Sequence, residues 1–298
     1  MDLARTIIIY DSVQYFVPKM KEKGIRCFSS FRRVTKVEKI LRKLSLKMNL
    51  KKMWYGDWKK YIKEIDTVII FATNRYDYIE YLADCNPEAR IIVWYWNPVF
   101  RCFDPRNLLR KNIEYWSFDK NDCIKYNLQY NSTFYFDNIK LEKKNKVKND
   151  VVFIGADKGR KSALDVISED LAKRGLKSLF HIVPDKNSPN QQNIKPLAYI
   201  DYLKLISESS VILDYLQAGQ AGATLRPMES IFFQKKLITN DPNIKQESFY
   251  RPANVFILGE DNFENIKDFV DGSYQELTSE SIAYFDFSNW LNRFKINE

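Results

Sequence analysis

Short apolar runs of strand length, separated by longer amphipathic stretches, constrain this chain more than any other feature of its sequence. In the first half these runs are Thr6–Tyr10, Arg26–Phe28, Thr67–Ala72 and Ile91–Trp96. Runs rich in β-branched and aromatic residues, without polar alternation, are typical of strands that are covered on both faces. Because parallel strands need a crossover, usually a helix, the pattern predicts an α/β fold with a parallel sheet.

The same pattern begins again after a polar, highly charged break at Leu141–Asp150, which is typical of a linker. Beyond it, helices are predicted over Ser162–Arg174, Tyr199–Glu208 and around Pro227–Gln234. The predicted strands begin with VVFIG at 151–155 and continue at Ser178–Val183, Ser210–Tyr215, Lys236–Thr239 and Asn254–Leu258. The sequence therefore predicts two α/β domains, residues 1–145 and 151–284, and a closing aromatic helix within residues 285–298.

Length and composition set the class of protein. The chain has 298 residues, of which 45% are hydrophobic and 29% charged, as in globular proteins of one or two domains. Its longest apolar runs fall far short of the ~20 residues that span a bilayer. The opening MDLARTIIIYDS predicts a first strand and not a signal peptide. We therefore expect a cytoplasmic protein.

Four cysteines and one histidine limit the chemistry. The cysteines form no CxxC pair and no close cluster, which argues against zinc sites and disulfide scaffolds. A single histidine, His181, argues against metal sites that need two. On a predicted strand, it is most simply a packed strand residue. No metal and no separate cofactor are expected.

The net charge of +9 is concentrated in one segment. Arg32–Lys63 holds twelve basic residues against only Glu38 and Asp57. Within it, apolar residues follow helical spacing at Val37, Ile40, Leu41, Leu44 and Met48. The pattern fits a core-packed helix with a solvated cationic face, or a helix that docks on an anionic membrane. Nucleic acid is disfavoured as a partner because aromatic residues do not interleave with the basic run.

The strongest motif is the glycine-containing loop Gly219–Thr224 before a helix predicted to begin near Pro227. Backbone N–H groups at a helix start, together with the helix dipole, bind phosphate well. Arg226 can add a charge-assisted bidentate contact, and Thr224 a hydroxyl. Glu229 either complements the helix dipole or accepts the two hydroxyls of a ribose.

Two further motifs lie at predicted strand ends of the second half. In Phe153–Lys161 a strand ends in Gly155, and the cations Lys158, Arg160 and Lys161 follow. Ligands bind at the carboxyl ends of parallel strands, so this loop is either a diphosphate clamp or a solvated turn. Asp214 ends another strand, where it caps a turn or contacts the ligand.

In the first half, Asp11 directly follows the first strand. A carboxylate there can accept a proton from a hydroxyl substrate, or form a turn with Ser12. Asp77 and Asp104 are weaker candidates for the same role. The segment Tyr95–Asn97 follows another strand and is predicted either to stack on a sugar ring or to belong to the core.

The second half also resembles a known family. Glu229, Lys235 six positions later and the buried Leu237–Ile238 resemble the signature of the C-terminal domain of GT-B glycosyltransferases. The loop around Lys158 and Arg160 resembles that family's donor-diphosphate loop. The region Val151–Phe294 is similar to bacterial glycosyltransferases of capsule, exopolysaccharide and lipopolysaccharide biosynthesis, and the first half is similar only in its layout.

The resemblance implies two Rossmann-like domains facing across a cleft, with acceptor binding by residues 1–145, donor binding by 151–284 and a final helix that crosses back to the first domain. It implies metal-independent transfer from a nucleoside-diphosphate sugar, with UDP-sugars favoured, to a surface-glycan acceptor, expected to be lipid-linked, at the inner face of the plasma membrane. Asp11, Arg226 and Lys158 are the candidate catalytic residues. The candidate donor-binding residues are Gly155, Lys158, Arg160, Asp214, Gln220, Gly222, Thr224, Arg226 and Glu229.

One departure from the family leaves the stereochemical outcome open. Common retaining members carry a second glutamate eight positions before the first, where this chain has Ala221. The first half has no histidine to act as the base that many inverting members use. Another enzyme of the same architecture, a sugar-nucleotide epimerase or a phosphotransferase, is one alternative. A non-catalytic protein that binds nucleotide sugars or membranes, in which the incomplete glutamate pair reflects lost chemistry, is the other.

Overall fold

The structure is a computed structural model that describes residues 2–11, 16–35, 38, 41, 45, 50–142, 147–185, 194–216 and 224–294. Its contacts divide the chain into two compact units. The first unit consists of Met1–Ser132 and Leu291–Glu298, and the second unit of Thr133–Trp290. Each unit contains one sheet of parallel strands with helices in the crossovers, so the predicted fold of two Rossmann-like units is confirmed.

The sheet of the first unit has the strand order β2-β1-β3-β4-β5-β6, and all of its neighbouring strands are parallel. Its strands are β1 Thr6–Ile9, β2 Arg26–Phe28, β3 Thr67–Phe71, β4 Arg90–Tyr95, β5 Ile113–Ser117 and β6 Gln129–Tyr130. The chain places β2 on one side of β1 and β3 on the other. The strand order therefore reverses between β1 and β3, which is where such sheets bind ligands.

The helices of the first unit pack on this sheet. They are α1 Phe16–Glu22, α2 Asp77–Cys85 and α3 Lys120–Tyr126, and shorter 3-10 turns cover Lys51–Trp54 and Asp57–Tyr61. Of the basic helix predicted from Val37, the residues Glu38, Leu41 and Ser45 are helical. Val37, Ile40, Leu44 and Met48 lie outside the described residues. The sequence predicts that this helix extends to Met53, and that end is wrong, because Lys51–Trp54 turns as a 3-10 helix.

The sheet of the second unit has the order β11-β10-β9-β7-β8, again with parallel neighbours. Its strands are β7 Asn149–Ala156, β8 Ser178–Val183, β9 Ser209–Asp214, β10 Lys236–Thr239 and β11 Val255–Ile257. Its helices are α4 Lys161–Lys173, α5 Tyr199–Ser207, α6 Leu225–Phe233, α7 Ile266–Asp271 and α8 Ser279–Ala283. The last described helix, α9 Phe287–Arg293, begins in the second unit, and its residues from Leu291 onward belong to the first. Here the strand order reverses between β7 and β9.

Side chains from both faces of the second sheet form its core. Val151, Phe153, Val211 and Leu213 are fully buried on one face together with Leu164, and Val152 and Ile212 are buried on the other face. Apolar residues on successive positions of a strand are expected when helices cover both faces. The same burial holds β7 and β9 side by side, so the residues at their carboxyl ends are placed by a packed core.

The helix α4 ends as its sequence predicts. Gly175 has φ +72, a conformation that costs little without a Cβ, and its N–H donates to the Ala172 carbonyl at 2.9 Å. The Leu176 N–H donates to the Leu171 carbonyl at 3.0 Å, which closes the last turn. Among the described residues, no helix combines the length and apolar character that crossing a membrane requires.

Candidate functional site

The reversal between β7 and β9 brings five of the sequence-predicted residues together. Gly155 is the last residue but one of β7, Asp214 is the final residue of β9, and Arg160 precedes α4. The helix α6 begins directly after Thr224 and carries Arg226 in its first turn. These residues come from four chain segments that meet at the carboxyl edge of one sheet.

Asp214 is the buried centre of this group. Its side chain is 2% exposed. One carboxylate oxygen accepts a hydrogen bond from the Thr224 hydroxyl at 2.9 Å, and the other accepts one from Arg226 Nη1 at 3.1 Å. The aspartate thus ties the end of β9 to the start of α6. The Thr224 hydroxyl does not cap α6. The side chain of Thr224 therefore accepts no hydrogen bond from the first backbone N–H groups of the helix.

Arg226 makes two further contacts besides its pair with Asp214. Its Nη2 donates to the Ile154 carbonyl at 2.6 Å, and its guanidinium group lies 4.8 Å from the centre of the Phe153 ring. The side chain is 18% exposed. A planar, fully charged group is therefore fixed in position at the sheet edge, and part of it faces solvent.

Arg160 lies against the same phenylalanine. Its guanidinium group is 5.1 Å from the Phe153 ring centre and donates to the carbonyls of Asp157, Tyr215 and Ala156, at 3.0, 2.5 and 2.5 Å. Burial, and next the charge of Arg226, lower its pKa from the usual value. A guanidinium has five N–H donors, so these three contacts do not exhaust it.

Gly155 allows the two arginines to approach β7. A Cβ at this position would lie 2.6 Å from Arg226 Nη2 and 3.6 Å from Arg160 Nη2. The first distance is shorter than real Cβ contacts, so any side chain here displaces Arg226. The glycine is needed because of this close approach.

Gly155→Ala is expected to weaken binding of an anionic ligand at this edge about tenfold, because the end of Arg226 must move away from Ile154 and Asp214. The displaced atom is the tip of a flexible side chain, so we expect a loss of stability of only about 1 kcal/mol. Calorimetric titration with nucleoside diphosphates and thermal unfolding measure the two effects separately. Equal affinity in the variant and the wild type would show that the position of Arg226 does not matter for binding.

The loop between β7 and α4 holds Lys158. The Asp157 carboxylate accepts the Lys161 N–H at 2.8 Å and so caps α4. Lys158 has φ +50, its N–H donates to the Asp185 carboxylate at 3.2 Å, and it is exposed. Its role in donor binding or catalysis stays a prediction. The predicted donor-binding residues Gln220 and Gly222 lie outside the described residues.

Glu229 lies one turn after Arg226 on α6 and is fully buried, with 0% exposure. Tyr199 donates a hydrogen bond to its Oε1 at 3.2 Å, and Tyr202 donates one to its Oε2. Burial raises the pKa of Glu229 to about 7, although the bond from Tyr202 and the charge of Arg226 oppose the shift. The described hydrogen-bond partners of Glu229 are thus tyrosine hydroxyls of the protein. Its contact with a ribose stays a prediction.

The two tyrosines are functional candidates that sequence reasoning missed. Tyr199 and Tyr202 lie on one face of α5, with rings stacked 5.5 Å apart at 14°. The Tyr199 hydroxyl also bonds to that of Tyr135. Their spacing of three residues in a predicted helix was a visible signal, but nothing in the sequence indicates that this face meets Glu229.

In the first unit, Asp11 lies at the reversal between β1 and β3, as predicted from its place after the first strand. It is exposed, and its Oδ1 accepts the Ser30 N–H at 2.6 Å. Its partner in the proposed turn, Ser12, lies outside the described residues. Its role as a base stays a prediction.

The weaker candidates have structural partners. Tyr95 is fully buried and donates its hydroxyl to the Phe103 carbonyl at 3.0 Å, so it belongs to the core and does not stack on a ligand. Asp104 pairs with Arg106, and hydrogen bonds from that residue lower the pKa of Asp104 to about 2. Asp77 accepts from Tyr55 at 3.4 Å, and His181 Nε2 lies 2.9 Å from the Lys195 carbonyl oxygen.

Trp96, the neighbour of Tyr95, lies at the carboxyl edge of the first sheet and is still a candidate for contact with a sugar ring. Its ring meets those of Tyr10 and Phe71, at 5.2 and 6.1 Å. This aromatic group lies beside the strand that leads to Asp11. Within the described part of the chain, no three His, Cys, Asp or Glu side chains are grouped so that they could hold a metal ion.

Comparison with protein-family models and with curated protein sequences found no match. Among the solved structures that are similar to this chain, two have 12% sequence identity with it. One, from the GtfA/B complex, has a TM-score of 0.47 over 77% of this chain, which spans only 56% of that protein's length. The other, a glycosyltransferase from Rickettsia africae ESF-5, has a TM-score of 0.45 over 97% of this chain and 88% of its own. Likeness at this level transfers no function.

Proposed function

We propose that this protein is a GT-B-type glycosyltransferase that moves a sugar from a nucleoside-diphosphate sugar to a surface-glycan acceptor. The observation that carries the proposal is the pair of guanidinium groups, Arg160 and Arg226, both held against the ring of Phe153 at the carboxyl edge of the second sheet. Asp214 pairs with Arg226, and the charges of Asp214, Asp157 and Asp185 act on Arg160, while the exposed Lys158 adds a third cation to this edge. Each guanidinium group has five N–H donors, more than the protein contacts described for it, so we assign an anion to this edge.

A diphosphate fits this edge better than a carboxylate or a single phosphate. Beside the two cations lies the start of α6, a helix of nine residues whose first N–H groups point along a favourable dipole. When the bond to the sugar breaks, negative charge develops on the leaving diphosphate. Fixed guanidinium groups stabilise that charge without reorganising, and such preorganised electrostatic stabilisation supplies most of the rate enhancement in many enzymes. Transfer then needs no divalent metal.

The nucleoside extends from the diphosphate along α6. Glu229 follows Arg226 by three residues, about 4.5 Å along the helix axis. We assign its carboxylate to the ribose hydroxyls and the remaining donor contacts to Gly155, Lys158, Thr224, Gln220 and Gly222. UDP is the favoured nucleotide by family resemblance, and the donor sugar is not specified by these residues.

The acceptor is assigned to the first unit. Asp11 lies at the reversal of its sheet and can accept the proton of an attacking hydroxyl, with Trp96 nearby as an aromatic surface for a sugar ring. A carboxylate that already accepts one backbone N–H keeps a second oxygen for this task.

A turnover assay tests the proposed function. The protein is incubated with UDP-, GDP-, CMP- and dTDP-sugars, with and without soluble and lipid-linked glycans, and the free nucleotide and the glycosylated product are measured. We expect acceptor-dependent release of one nucleotide, unchanged by EDTA. Conversion of the sugar nucleotide without acceptor would instead show an epimerase, and binding without turnover a non-catalytic protein.

The basic segment supports a membrane-bound acceptor. Leu41, Leu50 and Met53 are 55%, 50% and 50% exposed, and the neighbouring Lys51 is exposed as well. Apolar side chains standing in solvent beside cations are the composition of surfaces that insert into anionic membranes. We therefore place the protein at the inner face of the plasma membrane during transfer.

Lys51→Glu combined with Met53→Ser is expected to lower binding to vesicles containing phosphatidylserine at least tenfold, because each basic residue near an anionic surface contributes about 1 kcal/mol. Leu109→Ser with Lys111→Glu is the matched control, since Leu109 is 76% exposed and Lys111 is exposed nearby. Co-sedimentation with phosphatidylserine and with neutral phosphatidylcholine vesicles measures both pairs. An equal loss of vesicle binding in the two double variants would show that the effect comes from charge in general and not from this segment.

A further inference from the structure

The carboxyl group of Glu229 is fully buried and accepts hydrogen bonds from two hydroxyl groups of its own chain. Tyr199 donates to one of its oxygens and Tyr202 to the other. Both tyrosines belong to α5, are partly exposed, and stack ring on ring. A buried carboxylate needs such partners, because an unpaired charge away from water is costly.

We propose that Tyr199 and Tyr202 occupy Glu229 in place of the two ribose hydroxyls of the donor, and that they must release it before the nucleotide is fully bound. The inference rests on the proposed function, since it takes the diphosphate to bind at Arg226. It makes the two tyrosines determinants of donor affinity and of the preference for ribose over deoxyribose.

The tyrosines and a ribose offer Glu229 the same number of hydrogen-bond donors, so one can replace the other. Glu229 receives two O–H hydrogen bonds, one for each oxygen. The vicinal diol of a ribose also offers two O–H donors to a single carboxylate. Replacing phenol hydroxyls with ribose hydroxyls keeps the carboxylate satisfied throughout, so the net cost is that of moving the tyrosines and not of leaving a buried charge unpaired.

The two tyrosines are not equivalent. The Tyr199 hydroxyl also bonds to the Tyr135 hydroxyl, so it retains a partner when Glu229 is released. The hydrogen bond described for the Tyr202 hydroxyl is the one that it donates to Glu229. Tyr202 is also partly exposed on α5. Tyr202 is therefore the side chain that competes most directly with the ribose.

Proximity to the diphosphate site makes the competition relevant. Glu229 and Arg226 lie on the same face of α6, one turn apart. A nucleotide whose diphosphate contacts Arg226 brings its ribose to within one turn of Glu229. With 0% of Glu229 exposed, the ribose has no carboxylate to contact until a tyrosine withdraws.

Tyr202→Phe separates competition from simple bracing of α5 against α6. We expect the variant to bind UDP about two- to tenfold more tightly than the wild type, because one competing hydrogen bond is gone. Binding of 2′-deoxy-UDP should change much less, since it cannot offer both hydroxyls. Calorimetric titration measures the four affinities, and GDP with 2′-deoxy-GDP is run in the same way.

Tyr250→Phe is the control, because Tyr250 is a partly exposed tyrosine of the same unit that lies near Lys245. If Tyr202→Phe does not fold, Tyr199→Phe takes its place with a smaller expected gain. Equal changes for the ribose and deoxyribose nucleotides, or weaker binding of both, would overturn the inference and leave the tyrosines as a brace. Absence of binding to any nucleotide in the wild type would instead overturn the proposed function.

Discussion

Arg226→Lys is expected to lower kcat/KM for the nucleotide-sugar donor by about 10²–10³, the range seen when one stabilising donor of a transition-state charge is removed. Lysine keeps the positive charge, so the loss comes from geometry. Arg226 uses its planar group to reach Asp214 and Ile154 at once while lying on Phe153. A single ammonium cannot make these contacts and also present two N–H groups to a phosphate.

The alanine variant carries an additional cost. Asp214 is 2% exposed, and removal of Arg226 leaves its carboxylate with one described hydrogen bond, from the Thr224 hydroxyl, and with the charge of Arg160. Breaking a buried pair in this way costs about 3–5 kcal/mol. A loss of activity in Arg226→Ala would thus mix folding with function, which is why the lysine variant is the informative one.

Arg174→Lys is the matched control for Arg226→Lys. Arg174 also lies on a phenylalanine, 4.9 Å from the Phe263 ring centre, and pairs with a carboxylate, Glu264. It stands at the opposite end of α4 from Arg160. Steady-state kinetics with the donor measure both variants. Wild-type kcat/KM in Arg226→Lys, or equal losses in the two variants, would contradict the assignment of the diphosphate to this edge.

The second large effect concerns pH. We expect the free energy of unfolding of the wild type, compared with that of Glu229→Gln, to fall by about 3 kcal/mol as pH rises from 4.5 to 8. Burial raises the pKa of Glu229 to about 7 in the folded protein, from 4.5 as its usual value. Between these values the folded state holds a proton that the unfolded chain releases. The stability of the protonated form is therefore complete below pH 4.5 and is lost as pH passes 7.

Glutamine stays neutral throughout and has nearly the shape of the protonated acid, so the variant lacks this pH dependence. Urea unfolding at about pH 5, 6, 7 and 8 gives the free energy of unfolding of both proteins. Glu264→Gln is the control, because the Glu264 side chain is 74% exposed. A constant difference between the wild type and Glu229→Gln across this range would show that Glu229 does not carry a raised pKa.

The strands and the location of the site were predictable because both follow from local pattern and topology. Runs such as Thr67–Phe71 and Arg90–Tyr95 are short and almost continuously apolar. This pattern is typical of parallel strands that are buried on both faces. Once parallel strands are assigned, their carboxyl ends must share an edge. Arg160 and Arg226, 66 positions apart in the chain, could therefore be placed in one site from the sequence.

Two elements of the first sheet were missed for a physical reason. In β5, Ile113–Ser117, charged Glu114 pairs with Arg90 of the neighbouring strand at 2.5 Å and lies among apolar residues. In β6, only Gln129 and Tyr130 pair, and both are exposed. Strands of mixed polarity or of two residues are held by their neighbours, and the sequence alone carries little sign of them.

The partners of the site residues could not be predicted. Phe153 is an apolar strand residue like its neighbours, and only the structure shows two guanidinium groups on its ring. The burial of Glu229 likewise depends on tyrosines that lie 27 and 30 positions earlier. Nothing local to Glu229 distinguishes an exposed glutamate of a first helical turn from one enclosed by a second helix.

Binding of nucleotides is the most direct test of the central claim that the second unit holds a nucleoside-diphosphate sugar. Thermal unfolding is followed with UDP-, GDP-, CMP- and dTDP-sugars and with the free nucleotides, for the wild type and for Arg226→Lys. A ligand at about 100 times its Kd stabilises the folded state by about 2.7 kcal/mol, a shift of several degrees. We expect such a shift with one nucleotide family in the wild type and its loss in the variant. No shift with any of these nucleotides, or the same shift in both proteins, would contradict the account.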